Sequence, residues 1–231
     1  MKLAKDYIDI GLQTNNTEAM LRFWQEQVGL PYEELLKVGG GTHQHRHSLN
    51  GSVFKLNSIR DRLPDSGTTG YCELLIASPN LSSPRPLMDP DGNKVTLVPT
   101  GYEGVTHIGM RMEVSDLQRS RDFYQRILEA DEVAPGVFRW ATTRFFLTEN
   151  TNYIPAADMR GKGYRYITVQ VWDVDREHAR IIELGGTEGR APVTLGSTAR
   201  ISFIKDPDHN WIEVSQRASL TGELPDAAEL P

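Results

Sequence analysis

The chain has 231 residues, 39% of them hydrophobic and 24% charged, with a net charge of −6, a length that suits one large domain or two of about 100 to 120 residues. That balance, with no lysine- or arginine-rich run, argues against nucleic acid as the main partner, because neutralising phosphates requires a positive face. The single cysteine, Cys72, the charged start MKLAKDYIDI and the lack of any stretch near the roughly 20 apolar residues of a membrane span point to a cytoplasmic protein with no membrane partner.

Taken in chain order, YIDIGLQT alternates Ile8, Ile10 and Leu12 with Tyr7, Asp9, Gly11 and Gln13, the period of a strand with one buried face. NNTEAMLRFWQEQVG follows at helical spacing behind asparagine and threonine capping candidates. Three strand-like segments come next, YEELLKVG, THQHRHSL and SVFKLNSI, the last two joined by Asn50-Gly51, a strong hairpin signal. TGYCELLIAS then runs through SPNLSSPRP directly into LMDPDGNKVTLVP, which leaves no room for a helix and two more strands. The full pattern returns as VTHIGMRMEV with SDLQRSRDFYQRILEA, where Asp9 aligns with His107 at an offset of 107 − 9 = 98. It returns again as YRYITVQVW with DVDREHARIIELGG, and IKDPDHNWIEVSQ closes this unit as LMDPDGNKVTLVP closes the reduced one, at an offset of 206 − 89 = 117. The expected fold is α+β: four βαβββ units, one of them cut down at Ser78 to Pro90. The expected domains are residues 1–100 and 104–217, meeting near Thr100 to Gly104, with a flexible tail over 218–231.

The paired units, the opening HIGMRMEVSDLQRSRDFYQ and the closing ELGGTEGRAPVTLGSTARISFIKDPDHNWIEV resemble the vicinal oxygen chelate superfamily, which holds glyoxalase I, extradiol ring-cleaving dioxygenases and fosfomycin and bleomycin resistance proteins. The resemblance covers nearly the whole chain to Arg217. It implies two glyoxalase-like domains, each closing its sheets around a cup with helices outside. One fold of this kind hosts many chemistries, so the reaction has to come from the residues in the cup.

Strand parity sorts those residues. The apolar sets Ile108/Met110/Met112, Ile167/Val169/Val171 and Ile212/Val214 belong under the helices, which sends His107, Arg111, Tyr166, Thr168, Gln170 and Glu213 into the C-terminal cup. The same parity sends Asp9, Gln13, Lys55, Glu73 and Thr96 into the N-terminal one. In metal-using members the ligands are His and Glu on the first and last strands of each unit. Carried over, His107 and Glu213 match and Tyr166 stands where ring-cleaving dioxygenases have a second histidine, whereas Asp9, Lys55, Glu73 and Thr96 all depart. Two readings follow. His107 and Glu213, with Tyr166 as a third donor, hold a divalent iron, manganese or zinc; or they form a hydrogen-bonded pair lining a metal-free pocket. Arg111 could bind a substrate carboxylate or phenolate, or pair with a glutamate. Asp9, Lys55 and Glu73 form either a proton-transferring site or a charge-balanced structural network.

THQHRHS adds His43, His45 and His47 on one strand face, and the hairpin decides which face. A two-residue turn sets Lys55 opposite Arg46 and puts Gln44, Arg46 and Ser48 in the cup; a three-residue bulged loop brings in the histidines, with His45 and His47 as a second metal site. The functional expectation is an enzyme acting on a substrate with neighbouring oxygens, a metal-dependent ring-cleaving dioxygenase or a related lyase or isomerase. The alternative is a metal-free binding or resistance protein that sequesters an aromatic or oxygenated ligand. The expected partner is a small-molecule substrate, with a homodimer as a further option.

Overall fold

The computed structural model describes residues 1–155, 158–222 and 224. The first unit is β1 (Asp9–Thr14), α1 (Thr17–Arg22) with a π-helical turn over Phe23–Gln27, β2 (Tyr32–Lys37), β3 (Thr42–Leu49) and β4 (Ser52–Ile59). The second has β5 (Tyr71–Ser78), β6 (Arg85–Met88) and β7 (Lys94–Pro99), with no helix between them, as the missing sequence led us to expect. The third is complete: β8 (Ile108–Val114), α2 (Leu117–Asp122) with a π-helical turn over Phe123–Ile127, β9 (Asp131–Ala134), β10 (Val137–Trp140) and β11 (Thr143–Glu149). The fourth is β12 (Gly163–Gln170), α3 (Val174–Glu183), β13 (Thr187–Leu195), β14 (Ala199–Lys205) and β15 (Trp211–Arg217). A short helix, α4 (Ala218–Thr221), occupies the start of the expected flexible tail, and residues 223 and 225–231 lie outside the described residues.

Local chemistry explains the units. Asp116 and Asp173 cap α2 and α3 by accepting the N–H of Arg119 and Arg176 at 2.9 and 3.0 Å. The π turns recur at FWQEQ and FYQRI, and in each the extra residue per turn buries two consecutive aromatics, Phe23 and Trp24 or Phe123 and Tyr124. The repeated DPDGN and DPDHN turns are built alike: Asp89 accepts the N–H groups of Asp91 and Asn93, and Asp206 those of Asp208 and Asn210.

The strands form two mixed sheets, of order β13-β14-β15-β12-β1-β4-β3-β2 and β6-β7-β5-β8-β11-β10-β9. Antiparallel β1 and β12 join the first unit to the fourth, and antiparallel β5 and β8 join the second to the third. This corrects the expectation that residues 1–100 and 104–217 each close on themselves. Sequence repetition says which units are alike, not which edges meet. The short connection between β7 and β8 keeps the two middle units together, so the outer two pair with each other.

Ile10, Leu12 and Leu56 of the larger sheet and Leu74, Val95 and Met110 of the smaller one join Trp24, Tyr124 and Ile181 of the helices in one buried cluster. This continuous core fixes the opposite faces of the sheets as the two cups. No helix among the described residues is long and apolar enough to cross a membrane.

Candidate functional site

In the cup of the eight-stranded sheet, the register sets Lys55, Gly11 and Tyr166 in one row and Asp9, Thr168 and Glu213 in the next. Gly11 has no side chain, so the Tyr166 ring lies over it; a β-carbon there would overlap the ring. Lys55, only 4% exposed, reaches across β1 and donates to Thr168 Oγ1 and Glu213 Oε2, both at 2.7 Å. Thr168 donates to the same carboxylate oxygen at 2.5 Å. An ammonium has three protons, and the third has no acceptor among the described residues. Asp9 is held separately, by Lys5 Nζ at 2.8 Å, the Val53 N–H at 2.9 Å and Gln170 Nε2 at 3.3 Å.

Tyr166 accepts hydrogen bonds from Asn57 Nδ2 at 3.1 Å and Gln44 Nε2 at 3.4 Å, and its ring centroid lies 5.5 Å from Lys55 Nζ. Burial, and then the Glu213 charge, push its pKa above the usual tyrosine range, so it stays a neutral hydroxyl. Beyond it Phe203 meets Tyr166 and Trp211 edge-on, with ring centroids 6.1 and 5.9 Å apart, and Ile201 completes an apolar wall. Gln170 Oε1 and Trp211 Nε1 are buried without a partner among the described residues. The cup is thus half polar and half aromatic, the usual make-up of a small-molecule site.

The seven-stranded sheet carries a different cup. Glu73 accepts from Thr96 Oγ1 at 2.5 Å and lies 3.3 Å from Arg111 Nε, while Arg111 Nη2 reaches Glu103 at 2.8 Å. The Arg111 side chain is 37% exposed and stacks 5.1 Å from the Phe146 ring centroid. Leu75, Ala77, Val98 and Phe146 form the rest, packed against Val105 and Tyr102. Those two belong to the connection between β7 and β8, which packs into one end of the cup, while a pocket of about 330 Å³ stays open at the other, lined by Glu73, Thr96 and Lys94 with Pro86, Leu87 and Met88 of β6.

The expected residues are therefore regrouped. Glu213 and Tyr166 share a cup, but His107 lies outside it, just before β8 of the other sheet, bonded to Thr106 Oγ1 at 3.0 Å and edge-on to Tyr7. Asp9 and Lys55 share that same cup without bonding to each other, while Glu73 belongs with Arg111. The hairpin is the two-residue turn, with Asn50 and Gly51 at φ 50° and 90° and Arg46 opposite Lys55. It puts Gln44 in the cup and turns His45 and His47 to the other face, where His47 packs on Phe54 and sits 3.1 Å from Gln25 Nε2. Burial, and then the neighbouring His45, lower the His47 pKa to about 4, and because both rings lie on the face opposite the cup the pair makes no second site with Lys55. Parity had already turned Thr168 inward. Asn57 and Phe203 were missed, although Asn57 is two residues from Lys55 on the same face.

Residues 104–214 match the family described as the Glyoxalase/Bleomycin resistance protein/Dioxygenase superfamily. Among solved structures, glyoxalase I from Zea mays superposes with a TM-score of 0.67 at 18% identity, over 91% of this chain and 92% of that one. A candidate dioxygenase from Bacillus subtilis subsp. subtilis str. 168 gives a TM-score of 0.66 at 11% identity, over 94% and 85%. The family match covers just under half of the chain, its C-terminal part, and the likeness of fold extends over the rest. Comparison with the curated proteins gives no match, and at these identities the structural likeness carries the fold alone.

The resemblance to metal-using vicinal oxygen chelate proteins raises the question of whether this cup fits a divalent metal. Such an ion needs about three oxygen, nitrogen or sulfur donors free to turn toward it. The Glu213 oxygen is already shared by Lys55 and Thr168, and Asp9 is engaged by three donors. No three His, Cys, Asp or Glu side chains converge among the described residues. The donor set does not fit. An ammonium supplies the positive charge beside Glu213 instead.

Proposed function

We propose that the protein binds a planar, oxygen-bearing small molecule in the eight-stranded cup without a metal, using Lys55 as the fixed positive charge. The observation that carries this reading is the buried Lys55–Glu213–Thr168 network, with one ammonium proton uncommitted beside an aromatic wall. A charge-assisted hydrogen bond from Lys55 to a phenolate, enolate or carboxylate oxygen gains strength where water is excluded. The Tyr166 hydroxyl, held by Asn57 and Gln44, still has its own proton to give to a neighbouring oxygen. Phe203 and Trp211 supply the faces and edges against which a flat ring packs.

Cleavage of an aromatic ring by dioxygen, or metal-assisted lyase or isomerase chemistry, asks for an ion with about three protein ligands and open positions. The donors of this cup do not support that reading, so the metal-free alternative takes precedence. A thermal-shift screen of catechols, hydroxybenzoates and α-hydroxyketones, run in EDTA on protein without a histidine tag, tests it. Hits are expected to be indifferent to the chelator, lost in both Lys55→Met and the double variant K55M/E213L, and retained in Arg111→Met. Hits that need added iron, manganese or zinc, or that survive the loss of Lys55, would overturn the proposal.

A further inference from the structure

A cleft of about 770 Å³, sharing no residue with the network of either cup, opens between the connection from β4 to β5, the Asp89–Asn93 turn and the segment leading into β12. Four cations line it: Arg60, Arg62 and Lys162 at the surface, and Arg165, which is only 1% exposed. Asp65 and Asp91 line it as well, and Asp91 is already engaged by Thr14 Oγ1 at 2.5 Å, so the cations outnumber the carboxylates. Arg60 lies 3.2 Å from Asp61 in an exposed pair, which solvent screens.

Arg165 is the unusual member. The ladder between β1 and β12 shifts at Gly11/Leu12, pairing Gly11 with Tyr166 and Leu12 with Tyr164, and Arg165 between them is left without a partner in the register. Its Nη2 donates to Ser66 Oγ at 3.0 Å and to the Gly67 carbonyl at 2.8 Å, whereas Nε and Nη1 have no acceptor among the described residues. A guanidinium cannot shed its charge to suit its surroundings. A buried charge without a counter-charge is costly, and no described carboxylate forms an ion pair with this one; Asp158 acts on it only from farther away. Gly161 lies against the guanidinium so closely that a β-carbon there would overlap it, which keeps this side of the cleft shaped around Arg165.

We propose that this cleft binds the oxyanion of a small molecule, a carboxylate or a phosphate, with Arg165 as the buried anchor and Arg62 and Lys162 as its outer contacts. Both oxyanions accept the several N–H groups a guanidinium offers, so the chemistry is shared and the source is left to the test. The site is independent of the cup, and either assignment can fail without the other.

The test is thermal denaturation of the full chain in sodium phosphate, sodium citrate and sodium chloride at matched ionic strength. A ligand that binds only the folded state raises Tm in a saturable way. The proposal expects such a rise with phosphate or with citrate, each arm identifying its source, and none with chloride. The double variant Arg62→Ala/Lys162→Ala should weaken the response roughly tenfold, two exposed charge contacts together being of that order. Arg165→Met should abolish it in a protein that stays folded, since the change removes an unpaired buried charge; if that variant fails to fold, the surface double variant decides alone. A rise equal in all three salts, or one unchanged in the double variant, would overturn the site.

Discussion

The two cups are built from units of the same design and have been put to different uses. Gly11 and Gly109 stand at equivalent places on the first strands of the first and third units, and each is overlain by a neighbour: Gly11 by the Tyr166 ring, Gly109 by Val105 and Phe146. In the eight-stranded sheet the Tyr166 ring takes the space above glycine, Lys55 reaches Glu213 with its ammonium 5.5 Å from that ring centroid, and the ion pair is almost fully buried. In the seven-stranded sheet the connecting segment enters the cup, apolar side chains close one end of it, and the ion pairs around Arg111 are partly open to solvent. The reduced second unit keeps three strands, β6 among them, and lacks the helix and the one further strand that a full unit would add to its sheet.

The sharpest way to break this comparison is to remove the charge from each cup. Lys55→Met leaves Glu213 buried without its partner and should cost about 3–5 kcal/mol in urea denaturation. K55M/E213L should recover most of that, because replacing both members of a buried pair with apolar side chains removes the uncompensated charge. Equal stability of the two variants would mean that Lys55 does not neutralise Glu213.

Gly11→Ala comes next. The new methyl group meets the Tyr166 ring, held by Asn57 and Gln44, and the overpacking should cost about 1–3 kcal/mol. Gly109→Ala meets Val105 and Phe146 at 3.0 and 3.1 Å and should cost less, since a side chain of the connecting segment can give way. The reverse ranking would show the seven-stranded cup to be the more rigid of the two.

His47, on the other face of the larger sheet, gives a smaller and pH-dependent effect. Its pKa is held near 4 in the folded chain against 6.5 for an ordinary histidine, so as pH falls the unfolded chain takes up the proton first. The stability that a neutral His47 permits is complete above about pH 6.5 and drains away toward pH 4. His47→Gln should flatten that dependence in denaturation curves taken between those pH values. If the slope is unchanged, the histidine face of β3 is not buried as described.

Arg111→Met should have the smallest effect, below ~1 kcal/mol, because its pairs with Glu73 and Glu103 are screened by solvent. Any loss of ligand binding in this variant would count against the assignment of the site to the other cup.

Most of the fold was legible in the sequence. Alternation in YIDIGLQT, helical spacing after it and the Asn50-Gly51 turn each specify their element locally, and the missing segment after Ser78 specifies the reduced unit. Strand parity also chose the right face for Asp9, Lys55, Tyr166, Thr168 and Glu213. What it could not supply was which units share a sheet, since parity is a property of one strand and pairing of two. Grouping by position along the chain therefore set His107 with Glu213 and Glu73 with Lys55, where the sheets bring Lys55 to Glu213 over 158 residues of sequence. Arg165 was hidden for a related reason: a shift in the ladder alters parity locally, and nothing in YRYITVQV marks where it falls.

The most direct test of the account is metal binding by the cup itself. Elemental analysis of protein purified without a histidine tag, followed by calorimetric titration with zinc, manganese and ferrous iron, should find no stoichiometric metal and no saturable binding in the wild type or in Glu213→Gln. One equivalent bound to the wild type and lost in Glu213→Gln would contradict the claim that Lys55 supplies the charge in this cup.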